Sequence, residues 1–225
     1  MSRALTILGT AAQSPTASRN QNGYLLRWDN EVILFDPGEG TQRQMLLAHA
    51  SAASLTRICI THLHGDHCLG LPGVVQRRSL DLNPAPIDLH YPASGQRHIE
   101  ALLAATVWDA ESLEVRLHPT HDSESIVLDE HSRLLAKALQ HTTDTLGWRI
   151  EEAPRRHLDA KALLALGIKG AQLATLREQG WYEQHGRRID IDDVSLIVPG
   201  QRFAFVMDTR RCAAAGDLRT PLICW

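Results

Sequence analysis

Apolar residues in this chain fall mainly in short runs separated by polar, glycine-containing breaks. That pattern predicts strands joined by short helices. Residues 4–8 form an apolar run that stops at Gly9-Thr10, and residues 14–22, with Pro15, read as a loop. Residues 23–28 and 31–35 read as two strands around Asp29-Asn30, a favourable hairpin turn. A tight loop, Asp36-Pro37-Gly38-Glu39-Gly40, follows, and Thr41 as N-cap would start a helix through Met45, Leu46 and Leu47. Residues 55–60 predict a strand, 71–80 a helix, 87–91 a strand, 96–107 a helix and 114–118 a short alternating strand. Residues 133–140 and 146–151 read as a hairpin pair, and 202–207 as a strand ending at Asp208. Between these lies a stretch of different texture, residues 153–186. It carries two short helical patterns, 160–166 and 171–179, joined by Gly167-Ile168-Lys169-Gly170, and predicts an insertion. Beyond Asp208 no strand or helix period is visible.

Composition narrows this picture. The chain has 225 residues, 44% hydrophobic and 22% charged, which excludes long disorder and coiled coils. The length suits one domain, residues 1–225, with an insertion at about 153–186. No apolar run reaches the roughly 18 residues of a membrane span. The first residues lack a small-residue cleavage site, so the expected location is cytoplasmic. Cys59, Cys68, Cys212 and Cys224 form no C-x-x-C pair, and Cys59 reads as a small core residue. The net charge of −3 does not advertise nucleic-acid binding. Residues 149–188, however, hold eight Lys/Arg against five Asp/Glu and are locally basic.

The stretch that carries chemistry is Thr61-His62-Leu63-His64-Gly65-Asp66-His67, directly after an apolar strand. In an extended chain, residues two apart point the same way. His62 and His64 can therefore grip one ion from one face. Gly65 lets the backbone turn, so that Asp66 and His67, in the turn before the next helix, can reach a second ion. Imidazole and carboxylate suit zinc, and two ions about 3.5–4 Å apart make a hydrolytic site. One ion or two remain open from the residues alone.

The T-H-L-H-G-D-H string resembles the signature of the metallo-β-lactamase superfamily. The resemblance implies an αββα sandwich, an α/β (α+β) fold with two mixed sheets and helices outside. Three further stretches are similar to the tRNase Z (ribonuclease Z) family within it. They are Leu8-Gly9-Thr10 with Pro15-Thr16-Ala17-Ser18-Arg19-Asn20, then Asp36-Pro37-Gly38-Glu39-Gly40-Thr41-Gln42-Arg43-Gln44, and Gly65-Asp66-His67 leading to Leu69-Gly70-Leu71-Pro72-Gly73. The resemblance makes His62 and His64 ligands of a first zinc, and Asp66 and His67 ligands of a second. It makes Asp66 the proton acceptor as well. His141, heading His141-Thr142-Thr143-Asp144-Thr145-Leu146-Gly147-Trp148, would complete the first site, with Trp148 where the family usually has Tyr. Asp208 would bridge both ions. Asp36 would support the site from behind, although a turn-forming Asp before Pro-Gly explains it equally well. Neither His141 nor Asp208 stands out without the resemblance.

The insertion falls where the family carries a flexible arm that grips tRNA. Arg19, Lys169 and Arg177 would then be substrate-binding, the last two through phosphate contacts. The implied function is zinc-dependent removal of the 3′ trailer from precursor tRNA, leaving a 3′-hydroxyl tRNA and a 5′-phosphate trailer. The implied assembly is a homodimer. One departure matters. The family continues past Asp208 to a helix-borne histidine box and a final ligand histidine, and no histidine follows Asp208 here. The match therefore reads as truncated at the C-terminus, with the second zinc left to Asp66, His67 and Asp208. Two other readings follow: an impaired fragment that only binds zinc or RNA, and a different hydrolase on the same scaffold, such as a lactonase or phosphodiesterase.

Overall fold

The most apolar run, Glu-Val-Ile-Leu-Phe, becomes a strand buried on both faces, and the first sheet is built around it. The computed structural model describes residues 3–81 and 83–219. Six strands form a mixed sheet in chain order: β1 (Ala4–Gly9), β2 (Gly23–Trp28), β3 (Glu31–Phe35), β4 (Arg57–Cys59), β5 (Ile87–Pro92) and β6 (Val115–Thr120). The first three pair antiparallel and the last four parallel. Parallel strands covered on both sides need continuous apolar sequence rather than alternation, and Ile33, Leu34, Phe35 and Ile58 are fully buried. Asp29, at the β2–β3 turn, has φ 53°, a left-handed conformation that Asp tolerates.

Helices α1 (Thr41–Leu47), α2 (Gly65–Cys68), α3 (Leu71–Leu80) and α4 (Gln96–Ala104) follow their strands. Buried residues of α1, α3 and α4, such as Met45, Val74 and Ile99, share one cluster with Leu34, Ile58 and Leu89 of the sheet. Three details differ from the sequence expectation. Gly40, not Thr41, caps α1; it sits at φ 77°, and Thr41 instead donates its hydroxyl to the Gly38 carbonyl at 2.7 Å. The strand expected over 55–60 shortens to Arg57–Cys59, because residues 52–54 coil into a single 3₁₀ turn. The helix expected over 96–107 ends at Ala104, and Val107 points into solvent at 96% exposure.

The chain then starts a second sheet with β7 (Ser125–Val127), β8 (Ser132–Leu139) and β9 (Thr145–Glu152). It next builds a separate unit, residues 130–132 and 151–202. This unit holds β10 (Arg155–Leu158), α5 (Ala160–Ala165), α6 (Ala171–Gln179), β11 (Trp181–Gln184), β12 (Arg187–Asp190) and β13 (Ser195–Val198). Both helices match the sequence pattern. The two ribbons, β10 with β13 and β11 with β12, were not legible in it. Leu163, Ile168, Leu176, Ile189 and Val194 form the unit's own small core.

β14 (Arg202–Phe205) returns to the second sheet as an edge strand, giving the order β14-β9-β8-β7. This sheet packs on the first through Leu26, Phe35, Leu134, Trp148, Ile150 and Phe205. The tail that showed no period contains a helix, α7 (Ala213–Arg219). It was missed because Ala213-Ala214-Ala215-Gly216 carries no apolar stripe. Leu218 is buried against Gly147, where a Cβ would stand only 2.4 Å from the Leu218 Cδ1. The Asp217 carbonyl accepts a 2.9 Å bond from the buried Arg149 guanidinium. Helix, sheet, sheet and helix are therefore all present. Residues 220–225, including Cys224, lie outside the described residues.

Two stability predictions follow from this core. Trp148 is fully buried, and its indole N–H has no hydrogen-bond partner among the described residues. Trp148→Ala should cost about 3–5 kcal/mol in urea denaturation. Trp148→Phe, which also removes an unsatisfied donor, should cost clearly less; equal costs would contradict a packing role. His90 is buried, with its Nε2 2.5 Å from the Arg57 Nη1. Burial, then Arg57 and His118, push its pKa down from 6.5 to about 2. The unfolded chain binds that proton below about pH 6.5 and the folded chain does not, so folding stability should fall with pH from there toward 2. Melting temperatures measured from pH 7 to 4 should drop less steeply for His90→Gln than for the parent; parallel curves would refute this.

Candidate metal centre

The centre starts from a buried carboxylate. Asp36 leaves the end of β3 at φ 47° and is fully buried. Its Oδ1 accepts from the Thr61 backbone N–H at 2.7 Å, and its Oδ2 from the Thr61 hydroxyl at 2.8 Å. Oδ2 also lies 2.8 Å from the Nδ1 of His67. Burial raises the Asp36 pKa against the opposing pull of His67 and Thr61. His67 also loses hydration, but Asp36, Asp66 and Asp208 outweigh that loss and raise its pKa. With the Nδ1 proton facing Asp36, the Nε2 of His67 presents a lone pair to the cleft.

His62 and His64 lie in the extended stretch after β4. His62 is fully buried, and its Nε2 is 2.9 Å from the His64 Nδ1. Burial, then His67, His64 and His141, lower its pKa to about 3, so it is neutral near pH 7. His64 caps α2 from an extended conformation, and Asp66 and His67 lie within that helix rather than in a turn before it. A Cβ on Gly65 would stand 2.9 Å from the Leu69 Cδ1, and the His67 N–H donates to the His64 carbonyl at 3.0 Å.

The second sheet supplies the rest. His141 lies just past β8 and Asp208 just past β14. A clasp joins the two loops: the Arg210 N–H donates to the Gln140 carbonyl at 2.8 Å, and the Gln140 N–H donates to the Thr209 Oγ1 at 3.2 Å. Asp208 sits at φ 44°, outside the usual range of a non-glycine residue. His62, His64, His141 and Asp208 each offer one ligand atom, all within 4.8 Å of one another. Three imidazole nitrogens and one carboxylate oxygen this close together are an N/O donor set that could hold a metal ion. A second group adjoins it: the His67 Nε2 lies 3.4 Å from the Asp66 Oδ2 and 3.3 Å from the Asp208 Oδ2. Asp208 thus faces both groups.

The six residues proposed as ligands from sequence come together here. Of the proposed substrate contacts in the same unit, Arg19 does not join them. Arg19 lines a separate cavity of about 440 Å³ that also contains Arg43 and Asn20. Lys169 and Arg177 are exposed residues of the second unit. A cavity of about 750 Å³ opens beside His141, lined by polar residues including His121, Asp122, Asp144 and Arg210. Sequence reasoning missed Asn22 and Tyr24. The Asn22 amide nitrogen is 3.3 Å from the Asp66 Oδ2, and nothing in the polar loop preceding β2 marks it.

The model of the metallo-beta-lactamase superfamily matches residues 18–211. That defines the class: a metallo-β-lactamase sandwich, here with its candidate metal-binding residues in loops at the strand ends. Among curated relatives, the ribonuclease Z of Salinispora arenicola is 47% identical over 212 residues, covering 94% of this chain and 68% of that protein. That of Nocardia farcinica is 46% identical over 217 residues, covering 96% and 71%. The crystal structure of human tRNase Z, short form, superposes with a TM-score of 0.56 at 32% identity, covering 66% of this chain and 64% of that one. The chain belongs to the ribonuclease Z family of the metallo-β-lactamase superfamily.

Asp36→Asn keeps the shape but turns an amide N–H₂ toward Thr61 or His67. The clash of donors should lower unfolding free energy by roughly 1–3 kcal/mol in denaturant titration. Unchanged stability would mean that the carboxylate does not organise this loop.

Proposed function

We propose that this chain is a zinc-dependent endoribonuclease of the ribonuclease Z type, which removes the 3′ trailer from precursor tRNA and leaves a 3′-hydroxyl tRNA and a 5′-phosphate trailer. The observation that carries the reading is the convergence of His62, His64, His141 and Asp208, in a chain that aligns with ribonuclease Z proteins over 94–96% of its length. Those four residues would hold one zinc; Asp66, His67 and Asp208 would hold a second. Zinc, when bound, supplies Lewis-acid stabilisation and lowers the pKa of water.

The chain's own residues do the rest. Asp66 is buried at the edge of the cleft and orients the attacking water, whose proton its carboxylate accepts. Asp36 holds His67 in one tautomer, so that its Nε2 faces inward. The scissile phosphate would sit beside His141, with the 3′ end of the tRNA in the 750 Å³ cavity. Lys169 and Arg177 would contact tRNA phosphates as an arm, in a unit whose exposed Arg155, Arg187 and Arg188 add positive charge. Arg19 would contact the substrate from its own loop. A cytoplasmic homodimer is part of the proposal on family grounds. Among the described residues, no helix is long and apolar enough to cross a membrane.

One observation favours a second reading. Among the described residues the second group shows three donors, one of them the shared Asp208, and a site with fewer ligands holds its metal more weakly. The chain would then bind one zinc and bind RNA without cutting it. The test is zinc content per chain together with cleavage of a trailer-bearing precursor tRNA. The first reading expects two zincs and a defined 3′-hydroxyl product, with Asp66→Ala slowing cleavage about 10²–10⁴-fold. One zinc and intact precursor would overturn it in favour of the second. Hydrolysis of a lactone or small phosphodiester, but not of the tRNA, would overturn both.

A further inference from the structure

The Asp66 carboxylate must hold one orientation to work, yet neither Asp36 nor Thr61 bonds it. The group that does is the Asn22 side chain. Asn22 is 5% exposed, on the residue before β2. Its amide nitrogen lies 3.3 Å from the Asp66 Oδ2 and 3.1 Å from the His67 Nε2. Its amide oxygen accepts a 3.3 Å bond from the Tyr24 hydroxyl. The carboxylate, which only accepts, fixes which end of the amide is which: the nitrogen faces Asp66, and the oxygen is left to the Tyr24 hydroxyl, which holds it there. The backbone is held as well, since the Gly38 N–H donates to the Asn22 carbonyl at 2.9 Å. Tyr24 is itself anchored, its ring 5.1 Å from that of Phe205.

We propose that Asn22, oriented by Tyr24, is the positioning residue for Asp66 and for the second metal group of Asp66, His67 and Asp208. His67 already has Asp36 on its other nitrogen, so Asn22 is redundant for the histidine and decisive for the carboxylate. The buried amide donates to a carboxylate oxygen and leaves the other oxygen free. It adds no charge, so it fixes Asp66 without neutralising it. Among the described residues, no hydrogen bond joins the Asn22 side chain to His62, His64 or His141 of the first group. The metal-related part of this inference rests on the two-metal reading above; the placement of Asp66 does not.

The test uses Asn22→Leu, which keeps the branched shape and removes both amide functions, and Tyr24→Phe, which removes only the hydroxyl. Crystal structures of the metal-free full chain come first. The Asp66 carboxylate should leave its present rotamer in Asn22→Leu, while His67 stays against Asp36. An unmoved Asp66 overturns the proposal. Zinc affinity by chelator competition follows. The tighter zinc should be unchanged in Asn22→Leu and the weaker one reduced about 10–100-fold, with a smaller reduction in Tyr24→Phe. Equal weakening of both zincs with a lowered melting temperature would mean a merely structural role, and overturns it. A parent chain that binds one zinc refutes the two-metal reading, and the metal-free structures then still decide the role of Asn22.

Discussion

The site depends on one buried carboxylate. Asp36 sits under the cleft with no solvent contact, an expensive place for a charge unless it is fully bonded. Both oxygens are used, by the Thr61 amide and hydroxyl and by the His67 ring. This ties the exit of β3, the exit of β4 and helix α2 to one point. The direction of the His67 Nε2, the path of the chain through His62 and His64, and the start of α2 all follow from it. The glycines near it serve the same closeness. A Cβ on Gly38 would stand 2.2 Å from the Asp66 carbonyl oxygen, and one on Gly70 2.1 Å from the Gly38 carbonyl oxygen. The loop of β3 and helix α2 can therefore approach only with bare backbone at both positions.

Much of this was legible in the sequence, for identifiable reasons. The first sheet announced itself because its central strands are apolar on both faces and its turns carry Asp-Asn and Gly. The histidine string announced itself because four donors fall within six residues after a strand. His141 and Asp208 did not, being single residues brought in by the ends of β8 and β14; only family similarity pointed to them. Asn22 and Tyr24 were invisible because their role is set by partners 44 and 2 residues away, not by any local spacing. The Gln140–Thr209 clasp was equally hidden. Helix α7 was missed because its burial depends on Leu218 meeting Gly147, a fit between distant residues rather than a period.

The residues around Arg57 show a different use of buried polarity. Its guanidinium lies near the Glu31, Asp88 and His90 side chains, and His118 stacks on His90 with ring centroids 4.6 Å apart. This cluster occupies the part of the parallel strands away from the metal centre. It joins β3, β4, β5 and β6 through polar side chains, where the other parts of those strands pack through apolar ones.

The donors of the centre come from both sheets: His62, His64, Asp66 and His67 from loops after the first, His141 and Asp208 from loops after the second. An ion held there would be a cross-link between two layers that meet mainly through side-chain packing, with the Leu146 N–H to Thr61 carbonyl bond beside the centre. Its binding energy would then add to the docking of the sheets as well as to chemistry, so the stability of the sandwich would rise with free metal concentration, in the way a ligand bound only by the folded state raises it. The catalytic ion would thereby become a structural member.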